Sequence, residues 1–111
     1  MNERAEDSTM KQFMILYVAD GSAEQHFDAM QPEAIEAMTA AWNDWAQKAG
    51  AALVDFGNPT MAVGNTQPGI GGYSFLQAES LEDLNTVLVD HPHTAMGGKI
   101  DIYEVIPAPG M

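Results

Sequence analysis

Phe13-Met14-Ile15-Leu16-Tyr17-Val18 is apolar at every position. A strand with one face in water alternates apolar and polar side chains, because neighbours point to opposite faces. An unbroken run of strand-forming residues instead predicts a central strand covered on both sides. Asp20-Gly21-Ser22 ends it, and a polar connection follows through Met30. Because both of its faces are apolar, the sequence leaves open which one looks into the molecule.

Outward from that strand, the period changes from two to that of a helix. Pro32 suits a first helical position, with Glu33 and Glu36 near the positive end of the helix. Ile35, Met38, Trp42, Trp45, Ala46 and Ala49 fall on one stripe, and Gly50 supplies the stop. That spacing makes the two tryptophans core or subunit-contact residues rather than a ligand box. Ala52 to Phe56 reads as a short second strand ended by Gly57-Asn58-Pro59, and 61–72 as a loop or ragged hairpin. Tyr73 to Gln77 is the third strand. Ser80 then caps a second helix with an apolar stripe of Leu81, Leu84, Val87 and Leu88, and Pro92 lies just beyond its end. Lys99 to Ile106 is the fourth strand, with Ile100, Ile102, Glu104 and Ile106 on one face and Asp101, Tyr103 and Val105 on the other. Residues 1–11 read as a polar, flexible leader, and 12–111 as one domain. The order β, α, β, β, α, β is α+β and ferredoxin-like: two helices on one face of a four-stranded antiparallel sheet. The second sheet face also needs cover. A second copy meeting it face to face would supply that and enclose a cavity, so a homodimer is expected.

Composition narrows the function classes. The chain has 111 residues, enough for one domain with a modest core. Sixteen acidic against four basic residues give a formal net charge of −12. Arg4, Lys11, Lys48 and Lys99 are too few and scattered to displace counterions from phosphate, which argues against nucleic acid and anionic membranes. The absence of cysteine removes disulfides, thiolate metal sites and cysteine catalysis. No apolar run approaches the length of a transmembrane helix, and Met1 to Asp7 lacks the features of a signal peptide, so a cytoplasmic location is expected.

Among chemistry-bearing residues, Asp90-His91-Pro92-His93 stands out in a chain with three histidines. His91 and His93 are candidates for general acid and base, since imidazole titrates near neutrality, with Asp90 orienting one ring. The structural alternative is that His91 serves the helix end and Pro92 breaks the helix. A metal bound by His91 and His93, with His26 or Glu104 as third ligand, is a weaker reading, because no fuller ligand set is visible. Glu104 and Asp55 are carboxylates in apolar strands; inside a cavity desolvation would raise their pKa, whereas at a sheet edge they would meet water. Tyr17, Asp55, Tyr73 and Phe75 are the candidate ligand-lining residues. The glycines between 64 and 72 form no phosphate-binding motif, and Ser74 lacks a nucleophile-elbow setting. No cofactor motif is present.

Several segments, taken in order, resemble the YCII-related proteins. They are the strand Gln12 to Val18, the helix end Trp42-Asn43-Asp44-Trp45-Ala46-Gln47-Lys48-Ala49-Gly50, the stretch Gly72 to Ser80, and above all His91-Pro92-His93-Thr94-Ala95-Met96-Gly97-Gly98. The similarity spans about residues 11–111. It implies a dimeric α/β barrel in which two ferredoxin-like subunits face their sheets together, with a cleft in each. It also implies kinship with a superfamily that holds isomerases, dehydrohalogenases and monooxygenases acting on cyclic or aromatic compounds without a bound cofactor. Two departures matter. The better-described branch carries a His near the start of the first helix, where this chain has Ala34 and Ile35. It also carries an Asp in an Asp-Pro-aromatic turn, where His91 stands here. A simple His/Asp dyad therefore does not carry over. Three functions remain: a cofactor-independent isomerase or lyase moving a proton on an apolar or cyclic organic substrate, a non-catalytic binding or accessory homodimer, and a purely structural dimer.

Overall fold

The computed structural model describes residues 10–19, 30–64 and 69–109. Strand β1 spans Lys11–Val18 and is followed by helix α1, Pro32–Ala49. A 3-10 turn, Gly50–Ala52, leads into the short β2, Leu53–Asp55, and then β3, Ile70–Ala78. Helix α2, Leu81–Leu88, a four-residue helix α3, Pro92–Ala95, and β4, Lys99–Val105, complete the chain. The strands form one sheet in the order β2-β3-β1-β4, and all neighbours are antiparallel. Each helix between β1 and β2, or between β3 and β4, thus links parallel strands that flank an antiparallel one, which is the ferredoxin-like arrangement.

The apolar run Phe13 to Val18 lies within β1, hydrogen-bonded on both edges to β3 and β4. Its alternate residues Phe13, Ile15 and Tyr17 are buried with Leu76 and Ala78 of β3, Trp45 of α1 and Leu84 of α2. Phe13, Ile15, Leu76 and Leu84, removed from water, contribute about 1.5–3 kcal/mol each. The helix stripe holds residue by residue: Trp45 is buried, Ile35, Met38, Trp42, Ala46 and Ala49 are partly buried, and the rest of α1 is exposed. Pro32 opens this helix and Gly50, at φ 55°, closes it in a left-handed conformation that a side chain would strain.

Three differences from the sequence expectations have simple causes. Strand β3 begins at Ile70 rather than Tyr73, because Gly72 and Ile70 continue the pairing with Tyr17 and Val18. The stripe of α2 loses Leu81, which is exposed at the first turn while Leu84 is fully buried. The histidine turn carries α3, unmarked by any periodicity because four residues are too few to show one. On the second face of the sheet, Met14, Leu16, Val18, Tyr73 and Phe75 are partly exposed, and Tyr103 and Val105 of the edge strand are exposed. The leader lies mostly outside the described residues. Among the described residues, no helix is long and apolar enough to cross a membrane.

Candidate functional site: a buried histidine among aromatic rings

The turn after α2 sets the position of His91. Ser80 Oγ accepts from the Asp83 amide at 3.1 Å and starts the helix. At its other end Asp90 takes a left-handed conformation, φ 62°, which Asp tolerates better than most residues. The chain reverses there, and the His91 amide donates to the Leu88 carbonyl at 3.1 Å. Pro92 then occupies the first position of α3, where its missing N–H costs nothing. His91 is the cap of that helix: its Nδ1 accepts from the His93 amide at 2.9 Å, and its carbonyl accepts from Thr94 Oγ1 at 2.9 Å and the Ala95 amide at 3.0 Å. These bonds fix the backbone and ring together, and the ring is driven inward to full burial.

There it meets three aromatic rings. The centroid of Trp45 lies 4.3 Å away, that of Trp42 4.7 Å away and nearly perpendicular, and that of Tyr17 5.1 Å away. Phe56 extends the cluster at 6.1 and 6.3 Å from the two indoles. Trp45 Nε1 donates to the Val87 carbonyl at 3.0 Å. Ser74 Oγ donates to the Phe56 carbonyl at 2.6 Å, since a carbonyl can only accept. Its one hydrogen being used, the Tyr17 hydroxyl must donate in the 2.7 Å bond between Tyr17 and Ser74. Burial pushes the Tyr17 phenol up to about 12, against a smaller lowering from Ser74.

The geometry also sets the protonation of His91. An Nδ1 that accepts from an amide carries no proton, so the neutral ring must carry it on Nε2. That Nε2 is buried and has no hydrogen-bond partner among the described residues. Adding a second proton at Nδ1 would break the cap and bury a charge. Desolvation, assisted by the nearby His93, accordingly pushes His91 down to about 4. His91 is thus a neutral donor, with its base nitrogen occupied. A buried donor left unmatched costs about 1–3 kcal/mol, which a ligand acceptor would recover.

His93 differs. It is half-buried, its ring centroid is 5.3 Å from that of Tyr17, and its Nε2 donates to the Val18 carbonyl at 3.0 Å. Its Nδ1 has no hydrogen-bond partner among the described residues, which leaves a lone pair able to take a proton when the ring is neutral. Gly98 lies flat against this ring, and a Cβ there would collide with it.

The candidates from sequence therefore separate. His91, His93 and Tyr17 come together. Asp90 is exposed, and among the described residues it makes no hydrogen bond to either imidazole. Glu104 pairs with Phe13 on the helix-covered face, yet sits near the end of the edge strand and is exposed. Asp55 is exposed, and its Oδ1 accepts from the Gly57 amide at 2.9 Å. Tyr73 and Phe75 stack edge to face at 6.0 Å, but on the opposite face of the sheet: they stand across from Leu16 and Met14, not Tyr17. His26 lies outside the described residues. Among the described residues, no group of three or more ligating side chains is placed to hold a metal. Trp42, Trp45 and Ser74 complete the cluster. The helical stripe showed the tryptophans turned inward, but nothing in it showed an imidazole opposite them.

No family model matches the chain, and no curated protein does. Among solved structures, it resembles 5-chloro-2-hydroxyhydroquinone dehydrochlorinase (TftG) from Burkholderia phenoliruptrix AC1100, in complex with 2,5-dihydroxybenzoquinone, at 17% identity and a TM-score of 0.48. That match covers 81% of this chain and 90% of the other. It also resembles a dimeric protein of unknown function and ferredoxin-like fold from Bacteroides fragilis NCTC 9343, at 12% identity and a TM-score of 0.40, over 87% of this chain and 97% of the other. The fold assignment stands on strand order and register.

Proposed function

We propose that the chain binds a small cyclic or apolar organic molecule at the His91 cluster and moves a proton on it without a cofactor, as an isomerase or lyase does. The observation that carries this is the buried Nε2–H of His91, which has no partner among the described residues and lies within a shell of aromatic rings. A neutral imidazole in a low-dielectric site can polarise a carbonyl or phenolic oxygen, while the free Nδ1 of His93 serves as proton acceptor. Roles for Asp90 and Glu104 as acid or base, and for Asp55, Tyr73 and Phe75 as ligand contacts, would require the chain to move or a second copy to supply a wall. The resemblance to the YCII-related proteins supports cofactor-independent chemistry on cyclic compounds, and supports a homodimer closed over the sheet face of Met14, Leu16, Val18, Tyr73 and Phe75.

A non-catalytic binding or accessory homodimer is the second reading. It is favoured by the fact that, among the described residues, no carboxylate makes a hydrogen bond or ion pair with either histidine. Titration with cyclohexanone, followed at the indole N–H signals of Trp42 and Trp45, separates the possibilities. Saturable shifts together with deuterium uptake at the ketone's α-carbon in D2O, lost in His93→Ala, support proton transfer. Saturable shifts without exchange support the binder. Indoles unmoved by cyclohexanone and by phenol reject the site.

A further inference from the structure

The donors around His91 are not equally free. The Tyr17 hydroxyl is committed to Ser74, the Ser74 hydroxyl to the Phe56 carbonyl, Trp45 Nε1–H to Val87, and His93 Nε2–H to Val18. His91 Nε2–H is the fully buried donor that has no partner among the described residues. Among the described residues no carboxylate or ammonium makes a hydrogen bond or ion pair with the ring cluster, and an unpaired buried charge is costly. The ring walls of Tyr17, Trp42 and Trp45 favour a flat guest.

We propose that this site selects an uncharged, ring-bearing molecule by a single oxygen acceptor, held by His91 Nε2–H as a fixed neutral donor. This rests on the cluster being a ligand site and names the class of ligand it takes. The donor is fixed because the His93 amide holds Nδ1 as an acceptor, so the ring cannot flip or change tautomer without losing the α3 cap. The backbone on either side of that cap is set by left-handed Asp90, φ 62°, and Gly97, φ 92°.

A rival use of the same hydrogen is visible in the perpendicular packing of His91 and Trp42 at 4.7 Å, where an N–H can point at a ring face. The two are separated with three probes of similar shape: acetophenone, ethylbenzene and benzylamine, which is an ammonium at neutral pH. Each is titrated into the full chain and into His91→Phe, with Trp42 and Trp45 indole signals reporting affinity. The ratio of acetophenone to ethylbenzene affinity should be about tenfold higher in the wild type than in His91→Phe, the size of one buried hydrogen bond. Benzylamine should not compete. In the wild type alone, the His91 Nε2 resonance should move with acetophenone and stay with ethylbenzene, a readout that holds even where the variant does not fold. Equal ratios, with Nε2 unmoved by either probe, overturn the selection while leaving a ligand site. Indoles unmoved by both neutral probes overturn the site and the selection together.

Discussion

Acidification should destabilise this protein through His91, and the size of the effect follows from the ring's surroundings. An unfolded chain protonates this imidazole near 6.5, whereas burial against Trp42, Trp45 and Tyr17 pushes the folded value to about 4. Between those values the unfolded state binds a proton that the native state refuses, so stability falls as the pH falls. The contribution is fully present above pH 6.5 and is lost as the pH drops through about 4. Integrating over that window gives roughly 2 kcal/mol lost by pH 5 and about 3 kcal/mol by pH 4. The sixteen acidic residues act oppositely, because protonating them relieves repulsion in a chain of net charge −12. The test must therefore be differential. Urea unfolding of wild type and His91→Phe, followed by circular dichroism at pH 7, 6, 5 and 4.5, removes the shared carboxylate background. The stability difference between the two proteins should change by about 2 kcal/mol between pH 7 and pH 5, with the variant gaining relative to the wild type. Parallel pH profiles would show that the ring titrates alike in both states and refute its burial as a neutral group.

Three shorter predictions use the same neighbourhood. Gly98→Ala should destabilise by about 1–3 kcal/mol, because its Cβ meets the His93 ring and the bond from His93 to Val18 must give; thermal melts with the His93 ring signals as reporter check it. Tyr17→Phe should cost about 1 kcal/mol in urea unfolding, since Ser74 keeps its own bond to Phe56, and ultraviolet titration should show the late-ionising tyrosine near pH 12 vanish. Phe75→Asp, on the partly exposed sheet face, should shift sedimentation from dimer to monomer while leaving the His91 ring signals in place; an unchanged assembly would mean that this face is not the interface.

Legibility in the sequence followed the strength of local pattern. The first helix could be bounded because Pro32 and Gly50 have backbone preferences that no tertiary contact overrode, and every residue of its stripe turned inward. The fourth strand was readable because Ile100 and Ile102 alternate with Asp101 and Tyr103, matching their pairing with Tyr17 and Ile15. The first strand defeated the same logic. Phe13, Ile15 and Tyr17 are no more apolar than Met14, Leu16 and Val18, so the inward face was undetermined. That ambiguity is why Tyr17 was grouped with Tyr73 and Phe75, which the register places on the other side. The histidines were located but not their roles. A left-handed Asp90 and a four-residue helix turn one ring into the core and leave the other half-buried, and no spacing rule distinguishes them. For Glu104, a strand's alternation gives its face but not its distance from the sheet's edge.

The most direct measurement is the long-range nitrogen–proton spectrum of His91 at pH 7, which reports which ring nitrogen carries the proton. The expected result is a neutral ring protonated on Nε2, unchanged down to pH 5, with Nδ1 bare and bonded to the His93 amide. A ring protonated on Nδ1, or one already charged at pH 6, would contradict the account, because no fixed neutral donor would then stand among Tyr17, Trp42 and Trp45.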